Sequence, residues 1–347
     1  MSESATARMV SLAVTIDGMT VGGAIELELV QCGHFSADRF RVVFATGAVP
    51  GGAGYFAALG SGVVSVGVGV GVGVGIGIGI GGGFLAGIGA GGGALLVGQI
   101  DNVAVDFGRG QAVVSGRDLS ARLIDAEVTE SFANQTASQI ASQFAADAGL
   151  AAAVTATSTP VGQYYELAHT RTALALHSRH MTRWDLLAGL ALTEQFALSV
   201  TGTTLNFAPV TDAVQTVLHY GQDFISLVVD RAVGLGTPKV TVASWNPKSK
   251  QAVSSSVGSS GGVTLVRPNL TQGEAAQLAS AHQAELAAQA VLLRGSMPGD
   301  LSLMPGSVFV LAGTGTGFDT SYRIRTIERH VDVIGGFVQR FEALQVI

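Results

Sequence analysis

VGVGVGVGVGIGIGIG (66–81) alternates eight β-branched residues with eight glycines without a break. A two-residue period is that of a β-strand, whose successive side chains point to opposite faces. One face is then a Val/Ile stripe running from Val66 through Val74 to Ile80, and the other, beginning at Gly67, is bare backbone. Bare backbone suits close approach by another surface, or a bore that must stay smooth. No charged residue occurs between Arg41 and Asp101, so much of the first third of the chain is an uncharged, glycine-dense β element. Such a stretch points to a structural or assembly role rather than to a soluble enzyme.

Composition agrees with that direction. A chain of 347 residues is long enough for two or three domains with their own cores. Charged residues make up 13 %, about half the usual share, and mean hydropathy is +0.44. Surface so poor in charge is expected to be covered by copies of the chain or by partners. The net charge of −6 gives no reason to expect a nucleic-acid-binding domain, although a channel that passes DNA also avoids basic walls. Cys32 is the only cysteine, which excludes a disulfide framework and a cysteine metal cluster; it is expected to be a small buried apolar side chain. The N-terminus, MSESATARMVSLAVTIDG, has polar residues where a signal peptide needs an apolar run. Residues 62–97 are long and apolar enough to raise the question of a membrane span. Alternating glycine costs roughly 1 kcal/mol per position in a helix, which argues against a spanning helix. A β-hairpin touching a membrane stays open.

Working outward, SLAVTID (11–17), AIELELV (24–30) and FRVVFA (40–45) read as strands, and 50–62 as a loop. ALLVGQIDNVAVDF (94–107), the turn GRGQ (108–111) and AVVSG (112–116) read as a hairpin. In the middle region Thr136 with Gln139 and Thr182 with Asp185 form capping boxes that open two helices. The first places Ile140 and Phe144 on one face and stops at Gly149; the second turns Trp184, Leu187, Leu190 and Ala191 inward. Phe196 to Phe207, with Gly202 at its turn, reads as a second hairpin. Beyond Asp212 the chain is β-rich again, with strands in ISLVVDRAV, PKVTVASW, SVFVLAG, YRIRTIERHV and FVQRFEALQV. A third box, Thr271 with Glu274, opens a helix predicted to run to about Arg294, and SSSVGSSGG (254–262) reads as a linker.

Candidate chemistry fails its context tests. His177 and His180, with His169 and Glu166 upstream, have a spacing that a metal site would use, but they sit just before a helix cap and read as surface histidines. Asp319, Glu328 and His330 fall on a turn and a strand with no pocket signature. GTGTG (313–317) is followed by a strand rather than a helix, so it is a hairpin turn and not a phosphate cradle. Lys248 and Lys250 follow Trp245-Asn246-Pro247 in what reads as a solvated turn. No catalytic, cofactor-binding or metal site is expected.

Several strings resemble the baseplate hub proteins of phage tails, the family that includes the phage late control D proteins and the N-terminal part of VgrG. They are GQIDNVAVDF (98–107) with AVVSGRDLSARLIDAEV (112–128), SFANQTASQIASQFAADAGL (131–150), WDLLAGLALTEQFALSVTGTTLNF (184–207), KVTVASWNPKSKQAV (239–253), and LMPGSVFVLAG, FDTSYRIRTIERHV and GGFVQRFEAL within 303–344. GRDLSARLID and SWNPKSKQ are the most specific of these. The resemblance implies a mixed β and α+β chain in which two tail-tube-like β-barrel domains flank a small α/β domain. The first barrel is expected over 1–125 with a Gly/Val-rich insertion at about 50–93, the α/β domain over 126–211, and the second barrel over 212–347 with its long helix at about 272–294. Three copies would form a pseudo-six-fold ring, with a hexameric tail tube protein above and a trimeric spike below. Because the chain stops at Ile347, soon after the last strand, the spike is expected to be a separate polypeptide. The tape-measure protein and DNA are expected to pass through the channel without specific binding. Arg117, Asp118 and Arg122 are the expected polar cluster where the first barrel meets the middle domain, and Trp245 and Pro247 the expected corner of the second barrel. The protein is expected in the virion, at the tail tip, after synthesis in the host cytoplasm. The Val-Gly tract departs from the family pattern. It supports a second reading, a membrane-active injection component working through that tract; a hub-borne hydrolase is a third, for which no carboxylate pair stands out.

Overall fold

The structure is a computed structural model that describes residues 8–33, 36–72, 94–130, 132–161, 163–165, 170–173, 181–211, 213–233, 238–246, 250–267, 270–332 and 336–346. Val74, Ile80, Pro247, Glu166, His169, His177 and His180 lie outside the described residues.

The first region contains β1 (Arg8–Ile16), β2 (Met19–Thr20), β3 (Ala24–Cys32), β4 (Arg39–Ala45), α1 (Gly52–Ala57), β5 (Val63–Val72), β6 (Leu96–Asp106) and β7 (Gln111–Asp118). The Val-Gly tract is a strand as far as it is described. β5 pairs antiparallel with β1 over its length, from Ile16 opposite Val64 to Arg8 opposite Val72. Its other edge meets β6 only from Val63 to Val66. The alternation does what its period demands: Val64, Val66 and Val68 are buried, in one core with Val14, Leu27, Phe44 and Val114. The stretch read as a loop at 50–62 contains the short helix α1, which buries Phe56 against Phe44 with ring centroids 5.1 Å apart; one aromatic anchor decides a segment too rich in glycine to show helical periodicity.

The middle region holds α2 (Ala121–Ile124), β8 (Phe132–Ala133), α3 (Ala137–Asp147), β9 (Ala151–Val154), β10 (Gln163–Tyr165), β11 (Thr170–Ala173), α4 (Arg183–Glu194), β12 (Phe196–Thr201) and β13 (Thr204–Pro209). Both capping boxes close, Thr136 with Gln139 on α3 and Thr182 with Asp185 on α4. β12 and β13 form the expected hairpin, with β9 added in parallel beside β13. α3 and α4 bury Ile140, Phe144, Trp184, Leu187 and Ala191 in a second core, with Leu190 packed at its margin.

The last region runs through β14 (Val214–His219), β15 (Ser226–Arg231), β16 (Pro238–Asn246), β17 (Gln251–Val257), β18 (Ser260–Val266), α5 (Gln272–Ala288), β19 (Val291–Pro298), β20 (Val308–Ala312), β21 (Ser321–Asp332) and β22 (Gly336–Gln345). α5 stops at Ala288, short of Arg294: Val291, Leu293, Gly295 and Met297 alternate into the interior as β19, hydrogen-bonded between β15 and β22. The stretch read as a linker is two strands, because β16 supplies ladder partners on both sides, β17 antiparallel and β18 parallel. The chain turns across the start of β16 at Gly258, whose φ is +94°, and a Cβ there would stand 2.1 Å from the carbonyl oxygen of Pro238.

The largest sheet has thirteen strands in the order β15-β19-β22-β21-β3-β4-β7-β6-β5-β1-β2, with β20 also on β21 and β14 on β20. It is open, and β3 of the first region is hydrogen-bonded to β21 of the last, from Cys32 opposite Thr326 to Glu26 opposite Asp332. One continuous sheet therefore serves two cores. The first surrounds Leu27 and Phe44, and the other Leu293, Phe309, Tyr322, Ile324 and Phe341. A smaller fourth core lies between α5 and β16.

Not every glycine is there for space. A Cβ on Gly116 would stand 1.9 Å from the carbonyl oxygen of Gln99, beside the bulge in β6, whereas one on Gly67 would meet nothing nearer than 3.8 Å. Gly116→Ala should therefore destabilise the protein by about 2 kcal/mol, and Gly67→Ala should change stability by less than about 1 kcal/mol. Chemical denaturation of the two variants checks this; equal effects would contradict the assigned strand contacts.

Candidate functional site

Strand alternation makes β3 send Leu27, Leu29 and Gln31 inward, β21 send Ile327, Arg329 and Val331, and β22 send Gln339, Phe341 and Ala343. Val331 belongs to the first core, and Ile327 to the core of the last region. Arg329 and Gln31 lie between them, 1 % and 3 % exposed, with the fully buried Gln339 opposite Arg329 in register. The Arg329 guanidinium donates to Gln31 Oε1 and to the carbonyl oxygen of Leu303, and lies 3.7 Å from Met304 Sδ. Burial lowers its pKa to about 10, against the pull of Asp300 and Asp38.

The network continues toward the middle region. Gln31 Nε2 donates to Asp38 Oδ2 at 3.4 Å and to the Leu95 carbonyl at 3.3 Å. Asp38 Oδ1 accepts from the Cys32 amide at 2.7 Å, and the Asp38 carbonyl accepts from the Asp118 amide at 2.9 Å. Cys32 is half-buried rather than sealed in the core, because the strand ends there and turns over this polar cluster; burial pushes its thiol pKa up. The Asp118 carboxylate accepts from the Ser120 hydroxyl, and the intervening Leu119 enters the middle core. Burial pushes Asp38 up to about 6 and Asp118 up to about 7, Asp38 adding to the rise of Asp118. Three hydrophobic cores thus meet around one buried polar chain from Arg329 to Ser120.

The sequence-predicted residues stand as follows. Arg117, one residue before Asp118, faces outward and bonds two carboxylates, Asp101 at 2.7 and 3.1 Å and Asp125 at 3.0 Å. Its hydrogen bonds hold the Asp101 carboxyl below the usual range. Arg122 Nη1 donates at 3.0 Å to the Ala148 carbonyl at the end of α3, so it ties α2 to the middle helices. Arg183, which no motif singled out, lies 4.9 Å over the Phe144 ring and pairs with Glu130 and with Asp147. Trp245 is exposed on β16, far along the chain from this junction, and Val66 and Gly67 are in β5.

The acid-base candidates separate. Asp319 caps its own turn, accepting from the Thr314 amide and the Gly315 amide at 3.1 Å each, and the Thr314 hydroxyl holds its carboxyl below the usual range. Glu328 and His330 are exposed on β21. His330 does approach Glu26 and Glu28, but Arg41 already bonds those carboxylates at 3.1 and 3.4 Å. Of the junction residues that sequence reading missed, Gln31 and Arg329 have one detectable signal, a polar side chain in the inward phase of an otherwise apolar strand, as in Ile327-x-Arg329-x-Val331; Asp38 precedes β4 and has no such signal.

Because the pKa values of Asp38 and Asp118 are raised, the folded chain holds protons that the unfolded chain has released. Their stabilisation is complete below about pH 4 and is lost as pH rises through about 6 and about 7. Calorimetric Tm should fall between about pH 4.5 and about pH 7.5, and Asp38→Asn with Asp118→Asn should flatten that slope by the equivalent of about 2 kcal/mol or more. A Tm that rises across the window, or a slope unchanged in the double variant, would contradict the assignment.

No family model matches this chain, and no curated protein matches it in sequence. Solved structures do. A 43 kDa tail protein of prophage MuSo2 from Shewanella oneidensis superposes with a TM-score of 0.70 at 15 % identity, covering 97 % of this chain and 98 % of that one. A tail protein from Neisseria meningitidis gives 0.72 at 13 % identity, with 97 % of each chain covered. The E. coli c3393 protein, described as a component of the type VI secretion system, gives 0.60 at 11 % identity over 96 % of this chain and 77 % of that one. From end to end, the chain has the fold of phage tail proteins.

Proposed function

We propose that this chain is a non-enzymatic structural hub of a phage tail or phage-derived particle. Three copies form a ring, and the first region (1–125) and the last (212–347) each supply one barrel-like unit per copy, with 126–211 between them. Six such units face a hexameric tail tube above, three copies face a trimeric spike below, and the tape-measure protein and DNA pass through the centre. The observation that carries this reading is the match to tail proteins over nearly the whole of both chains, with no long segment of this chain left over.

Two features of the structure support assembly. First, a sheet that serves two separate cores gives each copy two β units, which is what three copies need to meet six neighbours. Secondly, β14 and β15 are edge strands, bonded only to β20 and β19 respectively among the described residues. Val214, Val217, Tyr220, Ile225 and Val228 are exposed on these strands and their connection. Apolar strand edges of this kind are covered in assembled proteins and aggregate when left open. The membrane-active reading loses support where the tract can be seen: Val64, Val66 and Val68 are buried in the first core rather than offered to lipid.

Native mass spectrometry of the purified chain is expected to show three copies per particle at micromolar concentration. A monomer at every concentration tested would contradict the hub.

A further inference from the structure

The chain contains only three lysines, at 239, 248 and 250, and all belong to the segment of β16 and the turn after it. Residues 231–273 hold five of the nineteen basic residues and none of the twenty-five acidic ones. The remainder of the chain therefore sets fourteen basic residues against twenty-five acidic, a balance of −11. Charge is thus sorted along this chain, although the total hides it.

Of those five basic residues, Lys239, Lys250 and Arg267 fall on or beside the small sheet of β16, β17 and β18; Arg231 is on β15 in the largest sheet, and Lys248 lies outside the described residues. Val240, Val242 and Ser244 turn toward α5, which covers them with Ala275, Leu278 and Ala279. The alternate residues Lys239, Ala243 and Trp245 face the other way, with Val266 beside Ala243 on β18. Among the described residues no layer covers that face: Trp245 is 58 % exposed and Val266 is 69 % exposed. Lys239, Lys250 and Arg267 are exposed around it and form no salt bridge among the described residues. The unit is not a loose flap, since Gln277 of α5 donates at 3.3 Å to the Thr193 carbonyl at the end of α4. The register also places Thr241, Ser254, Ser256 and Thr264 on this face, so it combines an exposed tryptophan and valine with a patch of hydroxyls inside a cationic rim, and an exposed tryptophan is the kind of anchor that protein contact surfaces use.

The geometry points to this sheet face, centred on Trp245 and Val266 and rimmed by Lys239, Lys250 and Arg267, as the surface that docks on the acidic body of a second copy of the chain. The inference rests on the hub reading and names one contact within it. Charge selects the occupant: the rest of this chain carries the complementary excess. Size fixes the kind of contact. Three strands of about seven residues present a face of roughly 300 Å², well short of the about 800 Å² per partner of a stable pair. The face therefore serves as one part of a larger heterologous contact, which is what a closed ring uses at every subunit boundary.

The lysine distribution supplies the test. Carbodiimide joins lysine to carboxylate, so apart from the terminal amine every such cross-link must start in this unit. With ¹⁴N- and ¹⁵N-labelled chains mixed, cross-links between copies are expected from Lys239 or Lys250 to Asp or Glu peptides outside 231–273. K239E/K250E should weaken self-association by about tenfold, raised salt should mimic it, and K239R/K250R should leave it intact. Assembly unchanged in K239E/K250E, or cross-links confined within one copy, overturns the inference and leaves the hub reading standing. A wild-type chain that never assembles removes both. Salt-sensitive binding of a dT oligonucleotide that K239E/K250E abolishes, without cross-links between copies, would assign the face to nucleic acid instead.

Discussion

The pairing of β3 with β21 joins residues some 300 positions apart, and the two large cores are disposed around it. Arg329 sits in the middle of that seam. Moving a guanidinium out of water costs several kcal/mol unless its donors are met, and removing one partner of a buried charge costs about 3–5 kcal/mol. Its partners are Gln31 from β3 and the carbonyl of Leu303 from the β19–β20 connection. They come from both halves of the chain, so these two bonds form only when the halves are in register, while the Arg329 Nε stays buried with no partner among the described residues. A polar layer also explains why one sheet has two cores. Apolar contact stops at Gln31, Arg329 and Gln339, and resumes on either side at Val331 and at Ile327.

The same seam leads to the middle region. Asp38 and Asp118 carry the network from β3 to the start of α2, where Leu119 enters the core of the middle region and Arg117 and Arg122 fasten the outer surface. These groups, Asp118 buried and Asp38 partly so, link three packed bodies. In the ring proposed for this chain that alignment would serve closure, since subunit contacts close a ring only if the angle between the two β units of each copy is fixed.

Local interactions were legible in the sequence, and distant ones were not. Thr136, Thr182 and Thr271 announce their helices because a capping box involves residues three apart and needs no partner from elsewhere. The hairpins β6–β7 and β12–β13 are readable for the same reason, and so is the strand character of Val63–Val72. The β3–β21 pairing has no local sign, because the two strands lie some 300 residues apart and nothing in either string points to the other. β17 and β18 read as a linker because serine and glycine carry little strand propensity; β16 holds them. The helical pattern of α5 ran on past Ala288 because Leu292 and Leu293 suit a helix as well as a strand until β15 and β22 are known to flank them. At the junction, Arg117, Asp118 and Arg122 stood out beside a family-like string, whereas Gln31 matters through Arg329 at the far end of the chain and Asp38 through Gln31, Cys32 and Asp118, a set that no local motif announces.

Hydrogen–deuterium exchange on the wild-type chain and on Arg329→Met tests this account most directly. If one sheet pinned at Arg329 unites the two ends, the amides of β3 and β21 exchange slowly together, and the substitution accelerates both to the same degree. Acceleration confined to β21, with β3 left as protected as before, would show that the two halves are independent bodies and that the seam does not hold them.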